Sequence, residues 1–155
     1  MIESLQGERT ALPYESSRIL GEYLLFHYGS PTEQFPWAGG PEEAMEFPSR
    51  SVQELIDPSS RLESALDLGC AVGKSTFVLY SLCDSVLGVD ASISFIQAAQ
   101  TILSKGGIEF EFHEEGSRWK RGMAKVDAPR ENVSFEVGDA CNLRNDLGCF
   151  DLVHA

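Results

Sequence analysis

Short apolar runs alternate with amphipathic segments through the second half of the chain. Segments 75–82 and 93–103 repeat apolar positions every three or four residues, which predicts helices. The apolar runs have the length and composition of buried strands, and they lie at 65–68, 85–89, 133–137 and 150–153. Strands that alternate with helices favour an α/β fold built on a parallel, doubly wound sheet.

The first third of the chain has helical rather than strand periodicity. Apolar positions recur at intervals of three and four within 13–27, and a second helix is predicted over 49–56. We therefore expect a helical extension over 1–60, followed by the sheet-containing domain over 61–155.

A long insertion separates the second helix of that domain from its third strand. Residues 105–132 exceed the length of an ordinary connection. Within them, 108–112 alternates apolar and acidic residues, and Glu115-Gly116-Ser117 is typical of a turn. The insertion is predicted to form a hairpin.

A glycine-containing loop, Asp67 to Ser75, joins the first strand to the next helix. Gly73-Lys74-Ser75 is similar to the end of a phosphate-binding loop, but the glycine which that motif needs five positions earlier is replaced by Leu68. The glycines also miss the spacing of a dinucleotide loop. An acidic residue beside the loop would repel a phosphate, whereas it would attract the sulfonium and amino group of S-adenosylmethionine. A tight turn that binds no ligand is the remaining alternative.

Two more aspartates follow predicted strands. Asp90 ends the second strand, where its carboxylate could accept hydrogen bonds from both hydroxyls of a ribose. Asp139 follows the third strand, where it could accept from an adenine amino group while the Ala140 N–H reaches a ring nitrogen. Since open parallel sheets bind ligands at the carboxyl ends of their strands, these residues and Asp67 predict one site.

Composition narrows the classes of partner. The 155 residues contain 12 Lys+Arg and 24 Asp+Glu, and the net charge of −12 argues against nucleic acid and anionic membranes as partners. No apolar run approaches the length of a membrane span, and no basic-then-apolar leader begins the chain, so we expect a cytoplasmic protein. The four cysteines form no CxxC pair and the three histidines are isolated, so we expect reduced thiols and no metal site.

The sequence resembles class I S-adenosylmethionine-dependent methyltransferases over 64–155. It is also similar to the 4-mercaptohistidine N-methyltransferase family, which occurs alone or as the C-terminal module of the sulfoxide synthase that makes ovothiol. The segments that carry this narrower resemblance are Glu22-Tyr23-Leu24-Leu25-Phe26-His27-Tyr28-Gly29, Phe35-Pro36-Trp37, Phe47-Pro48-Ser49-Arg50 and Leu68-Gly69-Cys70-Ala71-Val72-Gly73.

The resemblance implies a Rossmann-like methyltransferase fold, S-adenosyl-L-methionine as cofactor, and methyl transfer to an imidazole nitrogen of a small thiol-bearing histidine. It places the cofactor's methionine end on the glycine loop, its ribose at Asp90 and its adenine at Asp139, while Asp151 is structural. The implied cofactor-binding residues are Asp67, Gly69, Cys70, Ala71, Gly73, Asp90, Ala91, Asp139 and Ala140. No catalytic residue is assigned; Tyr14, Phe35, Trp37 and Arg50 are candidates for the acceptor side, with packing or surface roles as the alternative.

The family has seven strands in the order 3-2-1-4-5-7-6, and this chain has four of them. We therefore expect an incomplete fold, and self-association through an exposed fourth strand. The alternatives to an active methyltransferase are a non-catalytic remnant that binds cofactor or nothing, and a nucleotide-binding protein that uses Gly73-Lys74-Ser75.

Overall fold

The computed structural model describes residues 13–37, 40–41, 44–59, 62–127 and 131–155. After a 3-10 turn at Pro13–Glu15, the elements in chain order are α1 (Ser17–Tyr28), α2 (Pro31–Gln34), α3 (Phe47–Leu55), β1 (Leu62–Leu68), α4 (Lys74–Leu79), β2 (Cys83–Asp90), α5 (Ile93–Lys105), β3 (Gly107–Glu115), β4 (Arg118–Lys125), β5 (Val133–Val137) and β6 (Leu152–His154).

Four strands form a parallel sheet in the order β5-β2-β1-β6. The register places Asp67 of β1 beside Gly88 of β2 on one side and His154 of β6 on the other. Asp90, the last residue of β2, lies beside Val137, the last residue of β5. The α/β, Rossmann-like fold expected from the alternating pattern is confirmed, and the carboxyl ends of all four strands share one edge.

Helices α4 and α5 lie on the same face of this sheet. Both belong to crossovers that move in the same direction along the strand order, and the right-handed rule then places both helices on one side. The N-cap residue of α4, Gly73, lies close to β5 and α5, because a Cβ added there would lie 2.7 Å from the Phe135 ring and 3.1 Å from Ala99. Only a residue without a side chain fits at the start of α4.

The insertion forms an antiparallel hairpin of β3 and β4, separate from the main sheet. Gly116 takes a φ of +58° at its turn, a conformation that glycine adopts readily. Helix α1 packs directly on β3: a Cβ at Gly21 would lie 2.1 Å from the carbonyl oxygen of Glu111. The hairpin therefore packs against α1 through β3.

Helix α3 lies on α4 and completes a second, smaller part of the core. Val52, Ala65 and Leu79 are fully buried together with Cys83 and Val86. Helix α3 begins at Phe47, two residues before the predicted start, with Pro48 in its first turn, where a missing N–H costs nothing.

Two of the boundaries that differ from the predicted ones have local reasons. Helix α4 ends at Leu79 instead of Leu82, because the Leu82 N–H bonds to the Leu79 carbonyl in a turn. Strand β6 begins at Leu152 instead of Phe150. Asp151 precedes it, and its carboxylate accepts hydrogen bonds from the N–H groups of Glu63 (3.0 Å) and Ser64 (2.9 Å). Asp151 is thus structural, as expected.

Candidate functional site

A cavity of about 330 Å³ opens at the carboxyl edge of the sheet. Strand β2 and the loops after β1 and β5 form one side of it. Six of the nine predicted site residues line this cavity: Gly69, Ala71, Asp90, Ala91, Asp139 and Ala140. The structure therefore brings together loops from three strands that are far apart in sequence.

Asp90 connects the second strand to the glycine loop. Its Oδ2 accepts a hydrogen bond from the Ala71 N–H at 3.0 Å, and its Oδ1 accepts one from the Ser92 N–H at 2.8 Å. Each carboxylate oxygen has a second lone pair for a further donor. Both backbone bonds hold the carboxylate in a fixed orientation at the cavity wall.

Asp139 occupies the loop after β5. Its side chain accepts from the Cys141 N–H at 2.8 Å, and its carbonyl accepts from the Asn142 N–H at 2.9 Å, so it organises a local turn. The loop is tied to the second strand, because the Gly138 N–H bonds to the Asp90 carbonyl at 2.9 Å. Asp90 and Asp139 therefore line neighbouring parts of one cavity.

The glycine loop follows an unusual backbone path. Gly69 and Gly73 have φ of +70° and +84°, and Ala71 between them has φ of +47°. Positive φ is costly for alanine, and such strain persists where the surrounding structure fixes it, often at ligand sites. The hydrogen bond from Ala71 to Asp90 is part of what fixes it here.

Asp67 does not line the cavity. It is 1% exposed, and its Oδ2 accepts hydrogen bonds from the hydroxyls of Ser75 (2.7 Å) and Thr76 (2.6 Å) in the first turn of α4. Its Oδ1 lies 2.7 Å from Nδ1 of His154. This carboxylate faces α4 and not the cavity, because Asp67 lies in β1, two residues before Gly69, on the face of the strand that α4 covers.

Cys70 and Gly73 also lie outside the cavity lining. Cys70 is 1% exposed, and burial raises the pKa of its thiol, with further contributions from Asp67 and Asp90. Gly73 packs on Phe135 at the start of α4. Both residues are buried parts of the loop, and neither has a side chain in the cavity lining.

The cavity lining also contains an aromatic wall, which is formed by Tyr14, Tyr23 and Phe95. The Tyr23 and Phe95 ring centroids are 4.5 Å apart, and Tyr14 lies 5.9 Å from Phe95 and 6.1 Å from Tyr23. Burial, Tyr14 and Asp90 together raise the pKa of Tyr23. Of these rings only Tyr14 was a sequence candidate, for the acceptor side; the i, i+4 helical position of Tyr23 resembled ordinary packing.

His154 joins three elements and gave no signal in the sequence. Besides Asp67, it contacts Ser51 of α3, whose Oγ lies 3.1 Å from its Nε2. The hydrogen bond to Asp67 raises the pKa of His154 against the opposing effect of burial. Its partners are 87 and 103 residues away in the chain, which is why no local pattern could reveal it.

His27 lies on α1, one turn after Tyr23, and its ring stacks on that tyrosine with centroids 6.0 Å apart. Its Nδ1 is buried and has no hydrogen-bond partner among the described residues. Burial lowers the pKa of His27 to about 4, an effect that Asp67 opposes and Lys74 adds to. The imidazole is therefore neutral at pH 7.

Lys74 is the first residue of α4. It is half-buried, and its Nζ lies 5.1 Å from the centroid of the Tyr28 ring. The Tyr28 hydroxyl in turn donates to the Val72 carbonyl at 3.0 Å. A phosphate-binding loop would use the lysine and the following hydroxyl on phosphate and magnesium, but here the Ser75 hydroxyl is buried and bonded to Asp67.

The other acceptor-side candidates lie apart from the cavity lining. Trp37 is 66% exposed, and Arg50 pairs with Glu54 on the surface of α3. Phe35 is half-buried at the end of α2. Within the described ranges, no group of three or more His, Cys, Asp and Glu side chains is placed to hold a metal ion. No helix there has both the length and the apolar character that crossing a membrane requires.

No family model matches the chain. Over 98 residues it is 33% identical to norajmaline N-methyltransferase of Rauvolfia serpentina, an alignment that covers 63% of this chain and 26% of that protein. The chain thus spans about a quarter of the length of the curated relative that it matches.

Several solved structures are similar. Phosphoethanolamine N-methyltransferase 1 of Haemonchus contortus, in complex with phosphoethanolamine and S-adenosylhomocysteine, is 22% identical over 68% of this chain and 17% of that one, with a TM-score of 0.46. N-methyltransferase NodS of Bradyrhizobium japonicum, in complex with S-adenosyl-L-homocysteine, is 15% identical over 86% and 54%, with a TM-score of 0.45. Similarity at this level carries no information on reaction or substrate.

Proposed function

We propose that this chain binds S-adenosyl-L-methionine and forms the cofactor-binding part of a methyltransferase. The observation that carries the proposal is Asp90: its carboxylate stands at the end of β2, lines the cavity, and is held by the N–H of Ala71 in the glycine loop. A carboxylate at the carboxyl end of this strand can accept hydrogen bonds from the two hydroxyls of a ribose.

The charge of the cavity fits this ligand better than a nucleotide phosphate. Its described lining includes two aspartates, Asp90 and Asp139, and no lysine or arginine. Carboxylates repel phosphates at short range, whereas they attract the sulfonium and amino groups of S-adenosylmethionine. Asp139 and the Ala140 N–H would hold the adenine, and the aromatic wall would cover the adenosine from the other side. Asp67 would act through the fold of α4 and not by contact.

The bound cofactor supplies an activated methyl group, so the protein needs chiefly to position the two reactants and exclude water. Transfer to nitrogen is favoured by the 33% identity to an N-methyltransferase. The resemblance in Glu22–Gly29 and Phe47–Arg50 points further, to an imidazole nitrogen of a mercaptohistidine-type acceptor, as in ovothiol biosynthesis. A neutral imidazole can attack through its free lone pair, which removes the need for a general base.

Isothermal titration calorimetry of the chain with S-adenosylmethionine, S-adenosylhomocysteine, ATP and NAD tests the cofactor. We expect binding of the first two and none of the others; binding of ATP alone would overturn the proposal. The acceptor is tested separately by mass spectrometry after incubation with S-adenosylmethionine and either mercaptohistidine or histidine. Cofactor binding without methylation of either would favour a non-catalytic cofactor-binding protein.

We also propose a small-molecule acceptor and self-association along β6. This strand is an outer strand of the described sheet, and Val153 within it is 57% exposed. Outer strands with apolar side chains pair readily with other chains. Light scattering over a range of protein concentrations measures this association, and a monomer at all concentrations would contradict it.

A further inference from the structure

The segment before α1 lies beside the cavity, with Tyr14 in its lining, and we define residues 14–16 as the strap. The ring of Tyr14 forms part of the aromatic wall, and the Tyr14 carbonyl accepts a hydrogen bond from the Ser94 hydroxyl at 3.2 Å. Ser16 then caps α1 by accepting from the Ile19 N–H at 3.2 Å. The strap thus joins the start of α1 to the start of α5, with the cavity beside it.

Glu15 fastens this strap. Its Oε1 accepts from the Ile93 N–H at 2.9 Å, and its Oε2 accepts from the Ser94 N–H at 3.2 Å. These donors belong to the first turn of α5, where N–H groups lack helical partners and the helix dipole favours a negative charge. The carboxylate comes from 78 residues away in the chain, although Ser92 already caps the same helix by accepting from Phe95.

The two hydrogen bonds of Glu15 lie next to the ligand cavity and not at a remote helix end. Helix α5 starts three residues after Asp90, and both Ser92 and Phe95 line the cavity. Releasing Glu15 would remove two hydrogen bonds that fix the strap to α5, and would leave Tyr14 held by the Ser94 hydroxyl and its ring contacts.

We propose that Tyr14 contacts the adenosine part of the ligand and that Glu15 is the positioning residue that holds Tyr14 against it. The inference rests on the proposed function for the identity of the ligand. Tyr14 and Glu15 lie outside the strand-and-loop motifs of the site. Together they set the dissociation rate of the ligand. Opening of the strap becomes the step through which ligand enters and leaves.

Binding and dissociation of S-adenosylhomocysteine test this inference, measured by calorimetry and stopped-flow fluorescence on the whole chain. Glu15→Gln should weaken binding by about two- to thirtyfold, the range of a carboxylate at a helix N-terminus, mainly through faster dissociation. The matched control is Glu22→Gln, which removes an exposed carboxylate of α1 that pairs with Arg18. It should leave both rate constants unchanged.

A double-mutant cycle separates positioning from general stability. Tyr14→Leu should weaken binding, and adding Glu15→Gln to it should cause little further loss, because residues that act through one another are not additive. Additive effects would overturn the inference, as would a Glu15→Gln variant that binds like the parent. Adenosine should show the same loss with Glu15→Gln as S-adenosylhomocysteine does; a loss confined to the latter would refute contact with adenosine.

The outcomes distinguish this inference from the proposed function. If the parent chain binds neither S-adenosylhomocysteine nor adenosine, the function itself fails and the strap has no ligand to hold. If the parent binds both and the variants bind equally well, the function stands and the strap proposal alone is wrong. Circular dichroism of each variant confirms that the fold is retained.

Discussion

The carboxylate of Asp67 and the imidazole of His154 are neighbours across the β1–β6 pair, with Oδ1 and Nδ1 2.7 Å apart. The side chain of His154 is only 18% exposed, and that of Asp67 is 1% exposed. Through Ser51, His154 extends the link to α3, and through Ser75 and Thr76, Asp67 extends it to α4. One buried network therefore connects the helical segment to the strand that leads into the glycine loop.

Asp67→Ala should destabilise the fold by about 3–5 kcal/mol, the usual cost of breaking a buried, hydrogen-bonded charge pair. The substitution leaves His154 and two hydroxyls without their acceptor in a buried site. Urea unfolding followed by circular dichroism measures the change. Asp127→Asn, at an exposed position after the hairpin, is the control and should stay within a few tenths of a kcal/mol. A loss below about 1 kcal/mol for Asp67→Ala would contradict the network.

The same network predicts loss of stability on the alkaline side. The pKa of His154 is raised in the fold by its bond to Asp67, so the folded state holds the proton more tightly than the unfolded state does. The stabilisation is complete below the unfolded pKa of about 6.5 and disappears as the pH rises through the higher folded pKa. Subtracting the unfolding free energy of His154→Asn from that of the parent across pH 5–9 should reveal this decline. A difference independent of pH would refute it.

His27 predicts the opposite dependence. Its pKa falls to about 4 in the fold, so between about 6.5 and 4 the unfolded chain binds a proton that the folded chain does not. Stability should therefore fall as the pH drops through this range, by about 3 kcal/mol in total. His27→Phe keeps a ring beside Tyr23 and cannot titrate, so the variant should be less acid-sensitive than the parent. Carboxylates titrate equally in both proteins and cancel in the comparison.

The positions of Asp90 and Asp139 could be predicted from the sequence, because each follows a strand and the carboxyl ends of parallel strands meet at one edge of the sheet. Asp67 lies outside the cavity lining because strand residues alternate between faces, and the pattern 65–68 did not reveal which face α4 covers. Tyr14 was a candidate for the acceptor side, and the structure places it in the lining of the cavity that contains Asp90; Glu15 was not a candidate. Both depend on contacts about 80 residues away, with α5, that no local pattern contains.

Asp90→Ala should weaken S-adenosylhomocysteine binding by about 1.5–3 kcal/mol, the cost of losing hydrogen bonds to a charged acceptor. The substitution also removes the acceptor of the Ala71 N–H, so part of the loss would come from the loop. Asp90→Asn keeps one oxygen acceptor, and we expect an intermediate affinity. Calorimetry gives both values. Unchanged affinity in a folded Asp90→Ala variant would remove the ribose assignment.

Lys74→Ala distinguishes the two interpretations of the glycine loop. In a phosphate-binding loop the lysine holds the phosphates, so its loss would abolish nucleotide binding. In this structure Nζ lies over the Tyr28 ring, and the cavity lining described here lacks Lys74. The variant should therefore keep its affinity for S-adenosylhomocysteine within a few tenths of a kcal/mol, as expected for substitutions away from a ligand.

The unfolding free energy of Lys74→Ala should fall by about 0.5–1 kcal/mol, because a partly buried cation–π contact is lost. Lys74→Arg retains a cation for the same ring and should restore most of that stability. Calorimetry with S-adenosylhomocysteine and ATP, paired with urea unfolding, measures both effects. The Ser75 hydroxyl donates its hydrogen bond to Asp67, so we expect no ATP binding in the parent or in either variant. If the parent binds ATP and Lys74→Ala does not, the loop is a phosphate-binding loop after all.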